Sequence, residues 1–393
     1  MRVIESSSGT SASAGAAATG PRAAASALET SGWAVAYRLY DVGYAIDLDR
    51  AAALAPAGAT VRLSPLSAQA LALRIPNPPL LVNVGPVPLG PPLDGVAAQL
   101  SARLYDFGTI ALRARIRPGA QRLPWTAFSR FGRDVERALR ERDIFEPALR
   151  ALTAMLAPAI ARPRVAAVTE DYTVFRLTGL WDAAGERVPP AALHDQLLTP
   201  LLLQEEQPLS ESARRELLPH RLSYYEDDLT VLTWEHALAL SGEPAEESDV
   251  EWVLEFANAQ LLELRYYSAA LDDALPRMYD DIARARRGAR AFFTTGFARV
   301  LARLYELFAD TTETVERVDN ALSVTDDVYL ARVYTAAMEV FRGRAWRSSI
   351  DRKLAIIRET YGMLNAEAQS RRSEMLETMI ILLIIIEIVL AVR

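Results

Sequence analysis

Residues 379–392, MIILLIIIEIVLAV, are apolar on every side of any regular structure they adopt, with Glu387 their one charge. A helix that is hydrophobic all round must be buried, either in protein or in lipid. Fourteen residues make about 21 Å of helix, short of the roughly 30 Å hydrocarbon core of a bilayer. Extending back to Met375 and Leu376 gives about 27 Å but brings in Glu377 and Thr378. About a dozen Ile, Leu, Val and Met side chains at roughly −0.3 to −0.6 kcal/mol each outweigh one acid at roughly +2.5 to +3.5 kcal/mol. The reading is therefore a C-terminal membrane-seated helix over residues 375–393. Its anchor side chains are Met375, Leu376, Met379, Ile380, Ile381, Leu382, Leu383, Ile384, Ile385, Ile386, Glu387, Ile388, Val389 and Leu390. The alternative is a soluble or peripheral homo-oligomer whose tails bundle, with Glu387 pairing across protomers. A strand is disfavoured because a helical stripe runs unbroken from Ile350 into the tail.

Upstream the chain divides in three. Residues 1–31 are mostly Ala, Ser, Gly and Thr, too poor in apolar side chains to offset the entropy of ordering, and read as a disordered tail. No long apolar run follows Met1, so no secretory signal is read and the N-terminal domains are expected to be cytoplasmic. Residues 32–242 predict an α+β domain. Strands are expected in RLYDVGYAIDL (Arg38 to Leu48), RLYDFGTIALR (Arg103 to Arg113), 164–179 and 229–240, and helices near 126–143, 148–160, 193–206 and 210–218. The repeated Arg-Leu-Tyr-Asp-x-Gly predicts two equivalent units, with Gly43 and Gly108 at a bulge or a close backbone approach. Proline confines IPNPPLLVNVGPVPLGPP to an edge strand or loop.

Residues 247–374 predict a helical half. Ser248 and Glu251 form a capping box. Val250, Leu254, Ala257, Leu261, Leu264, Ser268, Leu271 and Leu275 make a heptad seam, and Ile350, Leu354, Ile357, Tyr361, Leu364 and Ala368 make a second. Antiparallel packing of the two is the economical arrangement. Further helices are expected near 280–308, 311–322 and 327–343, with Asp326 capping the last. Glu255, Asn258 and Arg265 flank the first seam and read as a polar network between helices.

Chemistry is sparse. Without cysteine there is no disulfide, thiolate nucleophile or thiolate metal site. His194, His220 and His236 lack zinc spacing, and no phosphate loop, nucleophile elbow or dinucleotide fingerprint occurs, so no catalytic, metal or cofactor residue is assigned. Glu226, Asp227, Asp228, Glu235 and His236 fall within eleven residues, the alternative of an unrecognised enzyme; turn acids are the simpler reading. Residues 1–165 hold 19 basic and 12 acidic residues, residues 166–393 hold 24 and 38. The basic excess peaks between Arg113 and Arg142, where Arg113, Arg115, Arg117, Arg130, Arg133 and Arg137 are candidates for phosphate or partner contact, with a ribosome or RNA as the partner.

The segments RRSEMLETMIILLIIIEIVL, EFANAQLLELRYYSAALDDAL, VERVDNALSVTDDVYLARVY and LYDFGTIAL together resemble bacterial members of the required-for-meiotic-nuclear-division family (Rmd/Sif type, domain of unknown function 155). Many relatives carry Trp after the Leu-Glu of the tail, where this chain has Thr378. The resemblance implies a membrane-tethered, non-enzymatic scaffold. Mitochondrial members resemble inner-membrane factors that support organelle translation by tethering ribosomes. It supplies no catalytic residue and no small-molecule substrate.

Overall fold

Residues 33–37, Trp-Ala-Val-Ala-Tyr, are buried without interruption, the mark of a strand covered on both faces rather than one. They lie in strand β1 of a computed structural model that describes residues 28–56, 60–62, 77–242, 248–287 and 327–391, with single positions 302, 309 and 312. In chain order the first elements are β1 (Glu29–Asp41), β2 (Ala45–Ile46), α1 (Leu48–Leu54), β3 (Thr60–Arg62), β4 (Leu80–Gly90), β5 (Leu93–Leu104), β6 (Thr109–Ile116) and β7 (Leu123–Pro124). Helices α2 (Trp125–Glu141) and α3 (Phe145–Leu156) follow, then β8 (Ile160–Ala161), β9 (Thr169–Trp181), α4 (Asp195–Leu202), α5 (Glu211–Leu217), β10 (His220–Leu222), β11 (Leu229–Leu232) and β12 (His236–Leu240). The helical half comprises α6 (Asp249–Arg287), α7 (Val328–Val340) and α8 (Gly343–Ala391).

Ten strands form one sheet in the order β10-β11-β12-β9-β1-β6-β5-β4-β3, with β7 added beside β1. Its neighbours run antiparallel except β9 and β12, which are parallel. Alternation sorts the side chains. Ala34, Ala36, Leu112, Ala114, Phe175 and Leu177 join a core with helices α2, α3 and α4. Val35, Tyr37, Leu39, Ala111, Tyr172 and Val174 face the other way, onto α6 and α7. The chain is thus an α+β sheet domain joined to a helical half, as composition and periodicity predict.

Several local expectations are refined. Strand β1 begins at Glu29, inside the stretch read as a disordered tail, and Thr30 Oγ1 donates to Gly179 O at 3.0 Å. Residues 1–27 lie outside the described residues. The proline-rich segment is strand β4, paired with β5 along its length but with β3 only over Leu80–Val82, so Pro86 and Pro88 sit where one side has no ladder to break. Both Arg-Leu-Tyr-Asp-x-Gly units end a strand in a turn, and the turns abut: Val42 N donates to Gly108 O at 2.9 Å and Ile46 N to Asp106 O at 2.9 Å. A Cβ on Gly108 would stand 2.0 Å from Gly43 O, so the expected close approach is between the two repeats themselves. Residues 229–240 are a hairpin rather than one strand, turning at Thr233–Glu235.

Helix α6 continues through Pro276 to Arg287, so the seam that ends at Leu275 and the start of the helix expected near 280 belong to one helix. Its first half is buried all round, from Glu251 to Leu264, between the sheet and α7. Its second half uses the predicted seams: Leu264 and Leu271, with Tyr267, Met278 and Ile282, pack on Ile350, Leu354 and Ile357 of α8. Leu364 and Ala368 have side chains outside the described residues. The antiparallel expectation fails. Gln260 meets Tyr334, Arg265 lies 6.0 Å from the Trp346 ring, and Lys353 Nζ reaches Asp272 at 2.7 Å, so contacts advance in the same direction along both partners. Forty residues separate α6 from α7 in sequence, so no short turn imposes antiparallel neighbours. Asp327, not Asp326, caps α7, its Oδ1 accepting from Tyr329 N at 2.8 Å and Leu330 N at 3.0 Å. Of the helices expected near 280–308 and 311–322, residues 280–287 belong to α6 and the rest, apart from positions 302, 309 and 312, lie outside the described residues.

Candidate functional site

Glu251, Glu255 and Glu263 share one side of α6, one and two turns apart, and that side faces the sheet. Ser248 Oγ accepts from Glu251 N at 3.2 Å, the first half of the capping box. The Glu251 carboxylate also faces the sheet: Arg113 Nη2 lies 2.8 Å from Oε2 and Arg176 Nε 3.8 Å from Oε1. Arg103 Nη1 meets Glu255 Oε2 at 2.7 Å, Tyr105 donates to Glu255 Oε1 at 2.9 Å, and Thr109 Oγ1 donates to Glu263 Oε1 at 2.8 Å. Apart from Ser248, every one of these side chains is buried. Burial, and then the Glu255 charge, push the Tyr105 phenol well above its ordinary range. A buried ion pair adds little net stability over an apolar one, but it admits only one register of helix on sheet.

Of the three residues read as a network between helices, Glu255 and Arg265 pair with the sheet and Asn258 bonds within its own helix. Glu255 binds Arg103 and Tyr105. Asn258 Nδ2 donates to Leu254 O at 2.8 Å within its own helix. Arg265 pairs with Glu170 of β9 and tops the ladder where α6 leaves the sheet. Burial pushes the Glu170 carboxyl up to about 7, with Arg265 pulling against it. A glutamate with this raised value keeps a proton in the folded chain that the unfolded chain has already released. Stability therefore falls as pH rises from about 4.5 to about 7, by roughly 3 kcal/mol. Glu170→Gln is expected to flatten that decline in urea midpoints measured across the window; an undiminished slope would assign it to other groups.

The arginine candidates do not form one surface. Arg113 is buried against Glu251, because its strand phase points it at α6, and is lost as a phosphate contact. Arg115, half-buried, shares that phase, and exposed Arg117 lies 4.6 Å over the Trp33 ring. Arg130, Arg133 and Arg137 stand across the sheet on α2. Arg130 and Arg137 are exposed, the latter 3.9 Å from Asp134, while Arg133 is half-buried against Pro200 O and Glu206.

The 226–236 acids do not converge either. Asp228 accepts from Tyr224 N and Tyr225 N at 2.8 and 3.1 Å, which makes it a turn residue. Glu226, Asp227 and Glu235 are exposed. His236 is buried and turns away from them, its Nδ1 2.9 Å from Leu202 O and its Nε2 3.5 Å from Glu136 Oε1, with its ring stacked on Phe175. Burial pushes Glu136 up, but His236, Thr173 and Arg140 outweigh it and hold the carboxyl below its ordinary value. Two clefts, of about 380 and 660 Å³, share the Glu136, Arg140 and Trp234–His236 wall. Among the described residues no group of three or more His, Asp or Glu is placed to hold a metal ion.

The remaining predicted feature is the tail. Helix α8 has 49 residues, about 73 Å. Leu376, Met379 to Ile386 and Ile388 to Leu390 are each 46–70% exposed, so no part of the described chain covers them. Met375 has its side chain outside the described residues. Among the described residues no helix is long and apolar enough to cross a membrane.

Sequence reasoning read Glu251 only as a capping residue and missed Glu263, Arg103, Arg176, Glu136 and Glu170. A signal existed for some of them: Arg113 falls in phase with apolar positions of a strand otherwise buried on both faces, and Glu251 and Glu255 interrupt a helix apolar on all sides.

A family model described as uncharacterized protein MJ0711, N-terminal domain, matches residues 31–245, and these limits bracket the sheet domain. The chain is also similar to uncharacterized protein MJ0711 of Methanocaldococcus jannaschii, 24% identical over 195 residues. That alignment covers 50% of this chain and 58% of the relative, less than two thirds of its length. No solved structure matches.

Proposed function

This chain belongs to the family defined by the N-terminal domain of uncharacterized protein MJ0711, and we propose that its sheet domain is tethered to a membrane by the helix beyond the family match. The observation that carries the reading is the apolar surface around the end of α8, where eight consecutive residues from Met379 to Ile386 are exposed. Eight residues span more than two turns, so this surface is a full collar rather than a stripe. A coiled-coil seam needs only a narrow stripe, whereas lipid wets a helix on all sides. The resemblance of the tail to the required-for-meiotic-nuclear-division family supports the same choice.

In this reading the apolar collar seats in lipid and the N-terminal domains stay cytoplasmic. Among the described side chains Thr360 is the last buried one of α8 and Leu376 the first exposed aliphatic one of the collar, a spacer of about 24 Å. The α6–α8 pair extends past the end of the sheet marked by Glu170 and Thr109, because α6 meets Arg113 first and Glu170 last. The domain acts as a non-enzymatic scaffold held off the lipid surface. A protein or ribonucleoprotein partner, the ribosome implied by the resemblance, meets exposed groups such as Arg130 and Arg137.

Full-length chain is expected to stay in the membrane pellet through an alkaline carbonate wash, and a chain lacking residues 375–393 to move to the supernatant with its unfolding midpoint unchanged. Release of the full-length chain by carbonate would sink the tether. A truncated chain that instead drops from an oligomer to a monomer would establish tail bundling, with Glu387 between protomers.

A further inference from the structure

A cavity of about 640 Å³ lies between α2, α4 and the loop that leads to α5, on the face of the sheet away from α6. Trp125, Leu197, Pro200 and Leu209 supply its apolar lining, and Arg133, Arg214, Glu205 and Glu206 its charged lining. Ser129 lines it from the middle of α2, is 4% exposed, and its hydroxyl has no hydrogen-bond partner. A helical serine commonly returns its hydroxyl to the carbonyl four residues back, and a buried polar group left unsatisfied calls for an explanation.

Arg133 follows one turn later on the same side of α2. Its guanidinium is held by Pro200 O at 3.4 Å and by the Glu206 carboxylate at 3.5 Å, both longer than the roughly 2.7–2.9 Å of a good charged hydrogen bond. Glu206 reaches in from an exposed loop, its side chain 77% exposed. The chain thus supplies Arg133 with a carboxylate and grips it loosely. A concave cleft of this size with an apolar lining and convergent polar groups is a usual form of a small-molecule site.

We propose that this cavity binds a small organic carboxylate with an apolar body. The ligand carboxylate takes the place of Glu206 at Arg133, where a guanidinium fork can engage both oxygens. The body lies against the apolar wall formed by Leu197, Pro200 and Leu209. The site is independent of the tail.

Sodium 4-phenylbutyrate, titrated into the full chain and followed by calorimetry, is the test. Saturable binding is expected at or below about 1 mM, with Arg133→Gln weakening it about tenfold and 4-phenylbutan-1-ol binding about tenfold more weakly than the acid. Glu206→Gln, on an exposed loop and harmless to folding, removes the internal competitor and is expected to tighten binding about threefold. Absence of saturation up to about 10 mM overturns the site. Equal binding of the alcohol, or affinity indifferent to both substitutions, overturns the carboxylate assignment, since partition onto the exposed tail would ignore Arg133 and Glu206.

Discussion

Replacing Glu251 with alanine is expected to destabilise the chain by about 3–5 kcal/mol, read as a lowered urea midpoint by tryptophan fluorescence. Arg113 and Arg176 approach this carboxylate from two strands, and both are buried. Removing it takes away the anion that two enclosed guanidinium groups face, which costs far more than the pair contributed to stability. The triple substitution Arg113→Met, Arg176→Met and Glu251→Leu is expected to recover much of the loss, because apolar groups of similar volume need no counter-charge. A single variant within about 1 kcal/mol of the parent would mean that α6 is not seated through this ladder.

Gly108→Ala is expected to cost roughly 2–5 kcal/mol, from a strained positive φ and from overpacking. The φ is +97°, and the new Cβ would meet Gly43 O at 2.0 Å, a backbone atom that cannot swing aside. Gly95→Ala is the control, since its φ is +80° with nothing within 4 Å, and it should cost only about 1 kcal/mol. If the two variants melted alike, the abutting turns would not be tightly packed.

Much of the local architecture was legible. Proline in 75–92 limited that strand to partial pairing, and β4 has a ladder on one side through its proline-bearing half. Ser248 announced the start of α6, and two heptad stripes predicted the Leu264–Leu271 contact with Ile350–Ile357. The candidate sites were less legible. Arg113 reads as surface charge in a basic segment, and only the phase of β6 against α6 makes it a buried counter-ion. His236 reads as one of a cluster with Asp227 and Asp228, yet its position at the start of β12 points it across the sheet at Glu136.

The amino-acid order alone determined the start of α6, the division into sheet domain and helical half, and the apolar collar of the tail. Each depends on residues within a few turns of one another, and propensity and periodicity act over that range. The tertiary structure decided which buried charges meet, that α6 and α8 run the same way, and that Ser129 and Arg133 share a cavity with Glu206. Those outcomes join groups as distant as Arg113 and Glu251, 138 residues apart. Such distant pairs are set by sheet order and register, which satisfy all the long-range contacts at once.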